Sequence, residues 1–524
     1  MRKRRLILPA IPLSIGALVL AGCAATATTP AASSTDGAAS SSEVVVADTT
    51  GTTAEAVLAA NEDATVVRDD EWSAADAVDI TLSGSSATTS AEGVEISGAT
   101  VTITAAGVYR LSGSLEGSVT VSAPEDAQVV LILDGVDIEN ADGAAISVLT
   151  ADDVAISLAD GTENTLSDAA SYAGDADVNA ALFSEADLTI SGTGALTVDG
   201  NGNDGITSED DLVILSGEIT VTAADDALRG KDSLTIEGGT LSLQAGGDAL
   251  KSDNEEEDTR GYVVIEGGDV TASAVDDGID ATTDLVITGG SLTVSAQGDG
   301  LHADVAAAIS AGTVDVAKSG EALEGAYISI EGGDVRLTAS DDGINAAGLA
   351  TSNGGGGGMG DTGETLEISG GTVTVDADGD GLDSNGSMTI SGGTVTVSGP
   401  TNDGNGALDV NGTFAVTGGT VLAVGSAGMA VSPGDGSTQA WISALASGSA
   451  GDGVQIVDSS GTVVASFTAD KTFGSVVFTS ADLVDGATYT VTVNGSTAAT
   501  VTEGTATAGG MGGGMGGPGG GQRP

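Results

Sequence analysis

The chain has 524 residues, with 14 Lys+Arg against 76 Asp+Glu and a formal net charge of −62; a polyanion of this size repels phosphate, which excludes nucleic acid as a partner. Apolar residues make up 40% of the chain and mean hydropathy is +0.19, which excludes wholesale disorder. With 82 Gly and only 2% aromatics, the composition suits narrow, repetitive β structure better than a conventional globular core.

At the N-terminus, Arg2, Lys3, Arg4 and Arg5 precede a short apolar stretch, Leu6 to Leu20, the pattern of an export signal. It ends in Leu20-Ala-Gly-Cys23, which resembles a bacterial lipobox, a resemblance that implies cleavage after residue 22 and a lipid on Cys23. An ordinary signal peptide or a short membrane anchor is the alternative. The expected location is extracytoplasmic, at the cell surface, with membrane contact through the lipid alone. Removing residues 1–22 leaves 10 Lys+Arg, a formal net charge of −66 and no cysteine but Cys23. Disulfides, thiolate metal sites and cysteine nucleophiles are thereby excluded. Residues 23–70, rich in Ala, Ser and Thr, have tether composition, and 506–524 is a Gly/Met tail with no capacity to pack. Between them, 71–435 reads as the main domain and 436–505 as a C-terminal β cap.

The main domain repeats. Leu234-Thr-Ile-Glu-Gly-Gly-Thr-Leu-Ser-Leu243 recurs from Val263, Leu285, Ile328, Leu366 and Met388, each copy alternating apolar and polar residues around a glycine corner. A second motif, Asp-(Gly/Ala)-(Ile/Leu), places an apolar residue at 206, 228, 250, 279, 301, 323, 344 and 382. The intervals are 22, 22, 29, 22, 22, 21 and 38, the two long ones holding the acidic Asp253–Arg260 insertion and the Gly-rich Asn353–Gly363 insertion. A period of about 22 residues with short strands and no helix predicts an all-β fold, a parallel β-helix whose interior layers are ladders of small aliphatics.

Stacking in register also stacks the acids. Asp204, Asp226, Asp248, Asp277, Asp299, Glu321 and Asp342 fall on one edge, about 5 Å apart, where bare carboxylates repel. Calcium, which takes six to eight oxygen ligands in irregular geometry, resolves that conflict. The expected ligands are Asp276, Asp277 and Asp280 with Asp248 one coil earlier; Asp341, Asp342 and Asn345; Asp378, Asp380 and Asp383; and, more weakly, Asp225 and Asp226, where Arg229 stands in the third ligand position. Asp and Gly also favour solvated turns, and that reading of the same residues stays open.

Several stretches resemble a known family, the bacterial carbohydrate-binding parallel β-helix proteins related to pectate lyases. They are Gly107-Val-Tyr-Arg-Leu-Ser-Gly113, Val129-Val-Leu-Ile-Leu-Asp-Gly135, Gly161-Thr-Glu-Asn-Thr-Leu-Ser-Asp168, Asp187-Leu-Thr-Ile-Ser-Gly-Thr-Gly194 and the later Asp-Asp-Gly-Ile turns. The resemblance implies a right-handed helix, bound calcium and recognition of cellulose-like or polyuronate polysaccharide. The related lyases use an Asp-Asp-x-x-Asp turn plus an Asp of the preceding coil, which matches Asp276, Asp277, Asp280 and Asp248. They also need a base, for which Lys318 is the candidate; as a surface counter-charge it would do nothing catalytic. His302 is the sole histidine and lies in an acidic turn, so Ser-His-Asp hydrolysis and zinc chemistry are disfavoured. Gly354–Gly358 lacks the Lys-Ser/Thr of a phosphate loop.

The sequence thus predicts a non-catalytic, calcium-dependent polysaccharide-binding protein. A calcium-dependent pectate lyase and a structural surface protein or adhesin stapled by calcium are the alternatives.

Overall fold

Successive strands pair in parallel across coils, so the chain winds rather than folding back. The computed structural model describes residues 52–174, 176–348, 360–434 and 436–506. Cys23, the export signal, residues 23–51 of the tether, Gly354–Gly358 and the tail from 507 lie outside them. No helix among the described residues is long and apolar enough to cross a membrane.

Each coil contributes strands to three faces of a parallel β-helix. On the first face, Leu228–Gly230, Leu250–Ser252, Ile279–Ala281 and the start of Leu301–Ile309 stack in turn. Here the predicted apolar positions meet one above another: Ile206, Leu228, Leu250, Ile279, Leu301 and Leu323 are in register, as are Ile344, Leu382 and Leu408. All are buried, most of them completely. At about 4.8 Å per coil the aliphatic side chains interdigitate without room for rings.

The second face carries Ser233–Ile236, Tyr262–Ile265 and Asp284–Ile287, and the third carries Thr240–Ala245, Asp269–Ala274 and Ser291–Ser295. The corner between them is the paired glycine of the repeat. Gly290 has φ +76, and a Cβ there would stand 2.8 Å from the carbonyl oxygen of Gly267. A side chain is excluded by both the left-handed backbone and the coil beneath.

The third face alternates exposed and buried residues strictly, as a half-solvated strand should. The second does not. In Asp211–Ile214, Ser233–Ile236, Tyr262–Ile265 and Asp284–Ile287 every residue is buried. The cover is the segment 52–72, of which the sequence places residues 52–70 in the tether. Its helix, Ala54–Ala60, is capped by Thr53 and seats Ala54 and Val57 against Tyr262, Val264, Val286, Ala306 and Ala308. The segment then passes down the face. Ala54 N donates to Glu331 (2.6 Å), Thr65 N to Asp211 (2.7 Å) and Val67 N to Thr189 (3.0 Å), while Ser191 donates to Asp69 (2.9 Å). Residues 52–70 are therefore a packed strap, not tether. Beyond its reach, Thr365–Ile368 and Ser387–Ile390 return to alternation.

The last third-face strand, Thr420–Gly425, pairs antiparallel with Phe473–Thr479, which pairs antiparallel with Trp441–Gly448. A four-stranded antiparallel sheet within 453–502 completes this end around its own core of Ile442, Phe473, Phe478 and Tyr489. The antiparallel pairing covers the strand edge that another coil would otherwise extend.

Candidate functional site

The acids of the second motif precede the first-face strands and form a continuous ladder. One oxygen of each except Glu321 accepts a backbone N–H from the next coil, and Glu321 accepts the Asn345 side-chain amide instead. Asp248 N donates to Asp226 Oδ1 (2.8 Å), Asp277 N to Asp248 Oδ1 (2.8 Å), Asp299 N to Asp277 Oδ1 (2.6 Å) and Glu321 N to Asp299 Oδ1 (3.1 Å). Asp226 N to Asp204 Oδ1 (3.3 Å) and Asp380 N to Asp342 Oδ1 (2.6 Å) continue the series. The acids are therefore not bare, as the sequence reading assumes. Each stitches its coil to the next, leaving one oxygen of the pair for other partners.

Three residues beyond each ladder acid stands a second column, in register across coils: Thr207, Arg229, Lys251, Asp280, His302, Glu324, Asn345 and Asp383, continued by Asp409, which follows Gly406 instead of an acid. This column decides which acids are compensated. Arg229 binds Glu209 (2.8 Å) and Asp253 (3.0 Å). Lys251 Nζ lies among three carboxylates of three coils: Asp248 at 2.5 Å, Asp280 at 3.4 Å and Asp226 at 3.7 Å. His302 Nδ1 meets Asp280 Oδ1 at 3.1 Å.

Protonation follows these contacts. Burial alone favours the neutral acid, yet the His302 bond and the Lys251 charge hold Asp280 below the usual carboxylate range. His302, bonded to Asp280, rises to about 9. Burial pushes Asp226 and Asp277 up to about 7. In the second column, burial and the neighbouring Asp380, Asp409 and Asp342 push the Asp383 carboxyl up to about 8.

Acidic ligand atoms converge within 4.8 Å in three groups: Asp248, Asp276 and Asp277; Asp277, Asp280 and His302; and Asp342, Asp380 and Asp383. The predicted Asp248–Asp276–Asp277–Asp280 turn is thus assembled, but Lys251 is in it. The third group differs from prediction, since Asp342 joins Asp380 and Asp383 of the following coil instead of Asp341. Asp225, Asp341 and Asp378 are exposed and belong to none of the groups, and Asp378 bonds Lys471 of the C-terminal region (2.9 Å). Asn345, one coil before Asp383, is buried and donates to Glu321 (2.8 Å). Lys318 ends the strand Thr313–Lys318 with its side chain exposed. Sequence reasoning missed Lys251 and the strap; the motif Asp248-Ala-Leu-Lys251 carried the first signal, since Lys251 occupies the position of Arg229 one coil later. Groups 1 and 3 offer oxygen alone and so suit a hard cation such as calcium, whereas the second adds a ring nitrogen.

Fold and stripe define a parallel β-helix with a carboxylate ladder along one corner. Residues 97–362 match the family described as carbohydrate-binding domain-containing protein, and the chain belongs to that family. A curated protein of Acetivibrio thermocellus with the same description is 42% identical over 137 residues, covering 25% of this chain and 48% of that protein. The chain therefore matches about half the length of that relative. Among solved structures, the polysaccharide lyase-like protein from C. thermocellum, a gadolinium derivative, is 37% identical, covering 44% of this chain and 96% of its own, with a TM-score of 0.44.

Proposed function

We propose that this protein binds polysaccharide at the cell surface through calcium held on the carboxylate ladder, and does not cleave it. The observation that carries the reading is the ladder itself, in a chain of a carbohydrate-binding family. Neutral glycans are commonly held by exposed aromatic faces. Among the described residues no Trp, Tyr or Phe is exposed: Trp441, Tyr109, Tyr262 and Tyr489 are buried, and Trp72 packs beside the strap residue Val67. A polyuronate would be repelled by the net charge of −62 unless a divalent cation bridges carboxylate to carboxylate. That combination favours an acidic ligand over a cellulose-like one. The lipid anchor at Cys23 supplies the surface location in this reading.

A lyase needs a free base beside the ligand. Lys251 is held by three carboxylates, and Lys318 is exposed at the end of its strand. Lys251 is therefore not a free base, and absence of ultraviolet-absorbing unsaturated product from polygalacturonate, with or without Lys318→Ala, is the expected result. The test of binding is retention on immobilised polygalacturonate and on cellulose. Retention on polygalacturonate is expected with calcium and lost with EDTA; retention indifferent to EDTA overturns the bridging role. Strong destabilisation by EDTA with no retention on either matrix would favour the purely structural alternative.

A further inference from the structure

The two all-oxygen groups are not equivalent, and we infer that the calcium site is Asp342, Asn345, Asp380 and Asp383, while the Asp248–Asp280 turn is closed to metal because Lys251 already fills it. The inference deepens the calcium dependence proposed above and rests on it.

In the Asp248–Asp280 turn the oxygens of Asp248 and Asp280 are spent, leaving Asp276 and one oxygen of Asp277 beside the Lys251 ammonium. Asp248 Oδ1 accepts Asp277 N and its Oδ2 lies 2.5 Å from Lys251 Nζ. Asp280 Oδ2 lies 3.4 Å from the same ammonium, and Oδ1 is taken by His302. Metal could enter only by displacing a cation tethered among three carboxylates. Lys251 is an internal substitute for the ion.

At the other end, Asp342 Oδ1 and Asp380 Oδ1 accept backbone N–H groups, leaving both Oδ2 atoms, and among the described residues no cationic side chain pairs with Asp342, Asp380 or Asp383. An independent observation points to a ligand. Asn345 is only 9% exposed, and its Oδ1 is buried with no hydrogen-bond partner. Its Nδ2 donates to Glu321 Oε2, on the coil before. The opposite amide orientation would set Oδ1 against that carboxylate. Oδ1 is therefore turned toward the following coil, where Asp383 stands in register with Asn345. An orphaned buried acceptor is costly unless something donates to it or binds it. Three carboxylates and an amide oxygen form a donor set for a hard divalent cation, with water completing six to eight ligands.

The test is calorimetric titration of the full, chelator-treated chain with calcium chloride, each variant being checked for folding by circular dichroism. The wild type is expected to show a site that Asp383→Asn and Asn345→Leu each weaken by roughly tenfold or more, and that Asn345→Asp preserves. Asp276→Asn is expected to leave that site in place, and Lys251→Met to add a second one. Loss of binding in Asp276→Asn with retention in Asp383→Asn overturns the assignment, as does absence of calcium binding by the wild type. Calcium bound at this site together with EDTA-insensitive glycan retention would refute the glycan bridge while leaving the site standing.

Discussion

The two ends of the carboxylate ladder are built from the same repeat and differ in the second column. Toward the N-terminus, Arg229, Lys251 and His302 stand three residues after their acids; toward the C-terminus, Asn345 and Asp383 do, with Asp409 next in the column. One end is neutralised from within, and the other is left anionic. In a solenoid each coil meets only its neighbours, so changing one side chain per coil sets the local charge without disturbing the fold. Identical backbone thus yields a closed salt-bridge network and an open oxygen cage a few coils apart.

The sharpest way to break this contrast is Lys251→Met. Three partly buried carboxylates would lose their shared ammonium, and stability in EDTA is expected to fall by about 3–5 kcal/mol, read from urea unfolding. No loss would mean that the N-terminal end is not compensated as described. At the open end the sign reverses. Asp383→Asn removes a half-buried acid whose ionisation is opposed by burial and by Asp380, Asp409 and Asp342, so in EDTA it is expected to stabilise by about 2 kcal/mol, while losing the stabilisation that excess calcium gives the wild type.

The pH dependence sharpens the comparison further. His302 is raised from 6.5 to about 9 by its bond to Asp280. Its contribution is fully present below pH 6.5 and disappears as pH rises through 9, a loss on the order of 1–2 kcal/mol. Thermal unfolding of His302→Gln should lack that component. The smallest effect is expected at the strap, where the half-exposed Arg68 pairs with Glu237; Arg68→Ala should cost less than about 1 kcal/mol in chemical unfolding.

The coil register was legible because a 22-residue period, two-residue alternation and a glycine corner agree on one geometry. The predicted positions from Ile206 to Leu382 all lie in the interior ladder. The strap was not legible from its own composition, which resembles a linker. Its trace is in the face beneath it. Tyr262-Val-Val-Ile265 and Asp284-Leu-Val-Ile287 are apolar at positions where uncovered strands such as Thr365-Leu-Glu-Ile368 place a polar residue. For the acids, the sequence identified the ladder and joined Asp248 to the turn of the next coil, but kept Asp341, Asp342 and Asn345 apart from Asp378, Asp380 and Asp383. The structure groups them across coils, bringing Asp342 to Asp380 over a 38-residue interval and leaving Asp341 and Asp378 outside. The register of Ile344 and Leu382 across the insertion was legible, but which side chains of adjacent turns converge was not. The paired N–H groups that hold one oxygen of most ladder acids are likewise a property of the stack, not of any one turn.

The central claim is that calcium on this ladder joins the protein to an acidic glycan. Retention of the full chain on immobilised polygalacturonate, measured with calcium and again after EDTA, tests it most directly. Retention that is lost with EDTA and restored by added calcium is predicted; equal retention under both conditions would contradict the account.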